Sequence, residues 1–209
     1  MIDGIIFDLD GTLWDSTGVC AKAWNHAVEK ATGKNPGFTA ATLKAQFGKL
    51  VPVIAANLFP KESTKRQLEL MDLCVEEEHR QLRLTPGALY PGLEDTLKTL
   101  QEKYPLFIVS NSQAGYIELF LEDFDFHHYF KDHLCAGDTN LPKNENITII
   151  KEKHHLEACV YVGDTNGDHD ASLKSGTPFI HAAYGFEKVA NPDGVIKSFS
   201  DLLTVVENF

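Results

Sequence analysis

The chain opens on a short apolar run, Ile2 to Phe7, that stops at Asp8-Leu9-Asp10-Gly11-Thr12. Consecutive apolar positions, rather than alternating ones, predict a strand buried on both faces, and here it runs straight into a turn. From Ser16 to Leu84 the spacing becomes helical, with Val19, Ala23, Ala27, Val28 and Ala31, and later Leu68, Met71, Cys74 and Val75. Gly33, Pro36-Gly37 and Pro60 cut this stretch into separate helices, and it contains no convincing strand. Thr85-Pro86-Gly87 and Tyr90-Pro91-Gly92 mark a return crossing.

Beyond that crossing strands and helices alternate. Strands are expected at 106–109, 133–136, 158–162 and 178–181, and helices at 113–121, 144–153, 168–175 and 199–206. Continuous apolar strands separated by helices predict an α/β fold, a doubly wound parallel sheet covered on both faces. The expected division is a core built from residues 1–15 and 85–209, with an all-helical insertion over 16–84.

Composition narrows the function. The 209 residues carry 30 acidic and 19 basic side chains, a net charge of −11, and 43% are hydrophobic. The chain is too apolar to be disordered and too acidic for a general nucleic-acid binder or an anionic membrane surface. Its start has no basic, apolar leader pattern, and no apolar run reaches membrane-spanning length. Cys20, Cys74, Cys135 and Cys159 are far apart with no CxxC spacing, so reduced thiols in a cytoplasmic protein are expected, not a zinc site or a disulfide framework.

The chemistry gathers where the strands end, the rim at which doubly wound sheets bind ligands. Asp8 and Asp10 end the first strand, Ser110 and Asn111 the second, and Asp164 the fourth, with Asp168 one turn on. Lys143 lies in the loop after the third. Crowded carboxylates need a cation between them, and a few carboxylates with open positions suit Mg²⁺ and a phosphate. Lys143 and the Ser110 hydroxyl can hold phosphate oxygens. An aspartate can attack phosphorus, and a second one two residues away can handle the leaving oxygen's proton.

These motifs resemble those of the haloacid dehalogenase-like superfamily, within the group that includes phosphoglycolate phosphatase and β-phosphoglucomutase. Asp8-Leu9-Asp10-Gly11-Thr12 resembles the family's first signature, Ser110-Asn111 its second, Lys143 its third, and Gly163-Asp164 with Asp168 its fourth; all occur in the family's order. The helical insertion sits where the family has its cap. The resemblance implies that Asp8 is the nucleophile and Asp10 the general acid and base. It implies Mg²⁺ held by Asp8, Asp164 and the Asp10 backbone carbonyl, with Asp168 as a further anchor. Ser110, Asn111 and Lys143 would bind the phosphate, and Lys143 would neutralise Asp8. It also implies that the first strand lies between the second and the fourth. Where many relatives carry Lys-Pro, this chain has Lys143-Asn144.

Other residues have plainer readings. Asp15 with Ser16 is expected to cap the first helix of the insertion. Glu76-Glu77-Glu78 is expected to be a solvated helix face. Trp14 and Trp24 are read as packing residues, and His127-His128 and His154-His155 as surface or loop positions. Asp170 fits the fourth motif less well than Asp168. Lys49 stands evenly between an exposed lysine and a contact to the distal end of a substrate. The function expected is Mg²⁺-dependent hydrolysis of a small phosphorylated metabolite. A phosphomutase is the alternative that shares every motif, and a non-catalytic phosphometabolite-binding protein a more distant one. Carbon–halogen and phosphonate cleavage are disfavoured because neither needs Asp10. The place of a dinucleotide-binding glycine fingerprint is taken by Asp8 and Asp10.

Overall fold

The computed structural model describes residues 2–209. In chain order the elements are β1 (Ile5–Phe7), β2 (Trp14–Asp15), α1 (Thr17–Thr32), α2 (Ala40–Lys44), α3 (Val51–Leu58) and α4 (Thr64–Leu82). After β3 (Ala88–Leu89) and α5 (Leu93–Leu100) come β4 (Leu106–Ser110), α6 (Tyr116–Phe124), β5 (Phe130–Cys135), α7 (Ala136–Thr139) and α8 (Lys143–His154). The chain closes with β6 (Val160–Gly163), α9 (Asn166–Lys174), β7 (Phe179–Ala182), β8 (Gly194–Ile196) and a mixed helical turn that includes α10 (Leu202–Val205).

The main sheet has six strands in the order β5-β4-β1-β6-β7-β8. Every pairing in it is parallel. β1 lies between β4 and β6, as the resemblance implied, so residues that follow β1 meet those that follow strands more than a hundred positions later. The pleat sorts the side chains into two cores. Ile5, Phe7, Leu106, Ile108, Val160 and Val162 face one side, where α5, α6 and α10 pack, while Ile6, Phe107, Val109 and Tyr161 face the other, against Ile147 and Ile150 of α8 and Ala171 of α9. Burial on both faces is why these strands read as unbroken apolar runs.

Helices α1–α4 lie between β1 and the rest of the core, and α1 packs along α4. The two crossings between these helices and the core pair as a short antiparallel ribbon, Trp14 opposite Leu89 and Asp15 opposite Ala88. Gly87 makes the approach possible, because a Cβ there would sit 2.7 Å from the Trp14 ring.

Several boundaries move. The helix expected at 113–121 begins at Tyr116, after Gly115 turns the backbone left-handed (φ 81°). Lys143 is the first residue of α8, not part of a loop, with Pro142 before it setting an extended entry. Helix α5, the two-residue ribbon and the edge strand β8 were not anticipated, although Leu93, Leu97 and Leu100 carry a helical spacing and are all buried. The four cysteines are free thiols and buried. Among the described residues no helix is long and apolar enough to cross a membrane.

Candidate functional site

Asp8 follows β1 directly, and its N–H donates to the Val162 carbonyl at 2.8 Å, which extends the β1–β6 ladder by one residue and fixes the side chain at the rim. Lys143, at the start of α8, reaches under it. Its Nζ lies 2.7 Å from Asp8 Oδ1 and 2.5 Å from Asp168 Oδ1, and all three side chains are buried. Burial alone would depress the Lys143 ammonium, but the charges of Asp168 and Asp8 more than reverse it. Asp168 is likewise held below the ordinary carboxylate range, because Lys143 and the donors of Thr165 outweigh its burial.

Asp168 has little left to offer a ligand. Its Oδ2 accepts the Asp164 N–H (3.2 Å), the Thr165 N–H (2.9 Å) and the Thr165 hydroxyl (2.7 Å). It therefore holds the turn after β6 and aims Asp164, whose Oδ2 accepts the Phe186 N–H at 2.7 Å. The approach is close. A Cβ on Gly11 would lie 2.1 Å from Asp164 Oδ2, and one on Gly185 2.3 Å from the Asp164 Cβ. Gly11 also adopts φ 81°, a conformation that favours glycine.

Two carboxylate oxygens in this group are buried with no hydrogen-bond donor, Asp8 Oδ2 and Asp164 Oδ1. Asp8, Asp164 and Asp168 each place an oxygen within 4.8 Å of the others. Three carboxylates against one ammonium leave two negative charges, the complement of a divalent cation. Without one, burial and the neighbouring Asp168 charge push Asp8 up to about 7 and raise Asp164 well above its ordinary value. Hard, unpartnered oxygens of this kind fit Mg²⁺.

Asp10 sits one turn away and is engaged differently. Its Oδ1 accepts the Ser16 hydroxyl (2.9 Å) and the Tyr116 hydroxyl (3.0 Å). Burial, and then the Asp8 charge, raise its pKa well above the usual range. Ser16 therefore serves Asp10 instead of capping α1. The capping falls to Asp15, whose Oδ1 accepts both the N–H and the hydroxyl of Thr17 and whose Oδ2 pairs with Lys44 at 2.7 Å.

The Ser110 hydroxyl accepts the Ser112 N–H at 3.2 Å, which leaves its own proton available to a ligand. Asn111 turns its amide away from the acids, to the Gly48 carbonyl at 2.8 Å, and so ties the core loop to the α2–α3 connection. Lys49 borders the cavity, but its ammonium donates to the Ala45 carbonyl of its own segment. Asp170 is exposed and takes no part.

The reading of Glu76-Glu77-Glu78 as a solvated face fails at Glu78, which is 1% exposed. Its Oε2 accepts the Trp24 indole N–H and its Oε1 the Gln113 amide, each at 2.6 Å. The signal was present in the spacing: Cys74, Glu78 and Leu82 recur every fourth residue on the buried stripe of α4. Burial pushes Glu78 up to about 7, although both hydrogen bonds pull it down. Gln113, in the loop after β4, was not singled out from the sequence either.

Asp8, Asp10, Ser110, Asn111 and Gln113 from the core, with Trp24, Phe47, Ile54, Met71 and Glu78 from the helices, enclose a cavity of about 30 Å³. That is room for a few water molecules.

Known proteins resemble the chain over nearly its whole length. A family model described as haloacid dehalogenase-like hydrolase matches residues 5–182. A phosphoglycolate phosphatase of Photobacterium profundum is 30% identical over 225 residues, covering 97% of this chain and 95% of that one. A haloacid dehalogenase-like family protein of Streptococcus pneumoniae superposes with a TM-score of 0.84 at 23% identity, with 97% of each chain covered. A 2-haloacid dehalogenase of Pseudomonas syringae superposes with a TM-score of 0.67 at 20% identity, over 100% of this chain and 99% of that one. At such identities the structural likeness speaks for the fold alone.

Proposed function

Because the chain belongs to the haloacid dehalogenase-like hydrolases, and is a phosphatase of that family, we propose that it hydrolyses a small phosphomonoester with Mg²⁺, through a phosphoryl intermediate on Asp8. The observation that carries this is the pair of buried, donorless oxygens, Asp8 Oδ2 and Asp164 Oδ1, beside an Asp8 Oδ1 already paired with Lys143. Asp8 and Asp164 could hold a divalent cation there, which would keep Asp8 ionised.

Asp8 and Asp164 would hold Mg²⁺ with the Asp10 backbone carbonyl, and Asp168 would hold Asp164 and Lys143 in place. When bound, the ion supplies charge neutralisation between the attacking carboxylate and the phosphate. The Asp8 carboxylate attacks phosphorus and the ester oxygen departs. Ser110 donates a hydrogen bond to a phosphate oxygen, and Lys143 pulls Asp8 toward its ionised form. Asp10, its raised pKa keeping a proton on the carboxyl, gives that proton to the departing alkoxide. It then takes one from the water that attacks the phosphoryl-Asp8, which releases inorganic phosphate and restores both aspartates. Ser16 and Tyr116 orient Asp10 throughout. Helices α1–α4 act as a cap. Substrate would enter when the cap opens and react when it shuts out water.

Release of inorganic phosphate from a panel of phosphomonoesters, with Mg²⁺ and with chelator, tests the reading. Release is expected to need the metal and to fall by at least ~10⁴-fold in Asp8→Asn; activity retained in that variant rules out a phosphoryl-Asp8. Asp10→Asn is expected to slow alkyl esters more than nitrophenyl phosphate, whose leaving group needs little protonation. Equal losses would remove Asp10 from the role of acid.

A further inference from the structure

The cavity is lined by a buried carboxylate that phosphoryl transfer does not use. Glu78, on α4, lines the same cavity as Asp8 and Asp10, and the Trp24 indole and Gln113 amide that donate to it are both neutral. Around it the cap side of the wall is apolar, formed by Phe47, Ile54 and Met71. Among the residues lining this cavity the one cation is Lys49, whose ammonium is turned to the Ala45 carbonyl. The Lys143 ammonium lies below, shared between Asp8 and Asp168.

The phosphate end of a substrate would lie at Asp8, Ser110 and Lys143, and its leaving group would share the cavity that Glu78 lines. A leaving group with a carboxylate would bring a second negative charge beside Glu78, where the one cation lining the cavity, Lys49, is turned to the Ala45 carbonyl. A hydroxyl or ammonium group would instead find an acceptor, since the Glu78 carboxylate has more lone pairs than the donors of Trp24, Gln113 and Cys20 occupy. We infer that Glu78 sets the substrate class: it selects phosphomonoesters whose leaving group carries a hydrogen-bond donor and no negative charge, and it rejects those that carry a carboxylate. The inference rests on the phosphatase reading. It separates this chain from the substrate in the name of its Photobacterium relative.

The test is a set of small esters of similar size at pH 8 with Mg²⁺: glycerol phosphate, ethanolamine phosphate and phosphoglycolate, with nitrophenyl phosphate as reference. At pH 8 Glu78, pushed up to about 7 by burial, is ionised. The wild type is expected to favour glycerol or ethanolamine phosphate over phosphoglycolate by at least ~10-fold in kcat/KM, and the order of those two tells whether a hydroxyl or an ammonium is preferred. Glu78→Gln removes the charge at nearly constant size and is expected to shift the ratio toward phosphoglycolate by at least ~10-fold, mainly through KM. Phosphoglycolate as the preferred ester of the wild type would overturn the inference, and so would an unmoved ratio in a Glu78→Gln protein that melts cooperatively. The wild-type comparison stands without the variant. Absence of turnover on every ester, nitrophenyl phosphate included, would bring down the phosphatase reading itself and this inference with it.

Discussion

The floor and the roof of the cavity each bury carboxylates, and they solve the same electrostatic problem in opposite ways. On the floor, Asp8 and Asp168 share the Lys143 ammonium at 2.7 and 2.5 Å, and what remains uncompensated matches a divalent ion. In the roof, Glu78 has two neutral donors at 2.6 Å and no cation. A formal ion pair satisfies the charge itself, whereas neutral dipoles satisfy only the hydrogen-bonding capacity. On the floor Lys143 holds Asp168 below its ordinary range, while Asp8, at about 7 on its own, would be kept ionised for chemistry by the divalent ion; the roof carboxylate, also at about 7, has no such partner and stays sensitive to whatever enters.

The comparison breaks most sharply at Lys143. Lys143→Met strands two buried carboxylates and is expected to destabilise the fold by about 3–5 kcal/mol in chelator, with part recovered on adding Mg²⁺; chemical denaturation curves in the two buffers measure both. Glu78→Gln strands no charge, so it separates the regions by pH. Because the folded-state value of Glu78 lies above its ordinary 4.5, at about 7, the protonated form favours the fold. Its contribution is full below about pH 4.5 and fades as pH rises to about 7. The wild type is therefore expected to lose about 3 kcal/mol relative to Glu78→Gln across that window, and parallel stability curves would refute it. Saturating Mg²⁺ at a hundred times its dissociation constant should stabilise the wild type by about 2.7 kcal/mol and leave Asp164→Asn unmoved in a thermal melt. The smallest effect is expected at the clasp between core and cap. Asn111→Ala removes one hydrogen bond to Gly48, a loss of about 1 kcal/mol, read as a faster cap opening in hydrogen exchange more than as a lower Tm.

The floor was legible in the sequence because its residues are tied to strand ends. An apolar run that stops at Asp8, or at Ser110, or at Gly163-Asp164 announces both the strand and the rim. The division of labour among the acids was less legible. Asp168 reads in the sequence as an anchor of the metal site, direct or one step behind the ligands, and the Thr165 donors and Lys143 that occupy its oxygens favour the second of these. The roof was misread because three consecutive glutamates look solvated, and only the four-residue spacing from Cys74 to Leu82 places Glu78 inward. Gln113 and the β2–β3 ribbon left no signal, since their roles depend on segments that meet only after the chain has crossed between helices and sheet.

The two glycines around Asp164 have a consequence for how this protein can be inactivated. Gly11 and Gly185 carry no side chain at all, yet a single methyl group on either would occupy the space of the Asp164 side chain. A screen for loss of function should therefore recover alanine at these positions alongside the aspartates, in chains that still express and fold. The vulnerable surface of the site extends to residues whose contribution is to be empty.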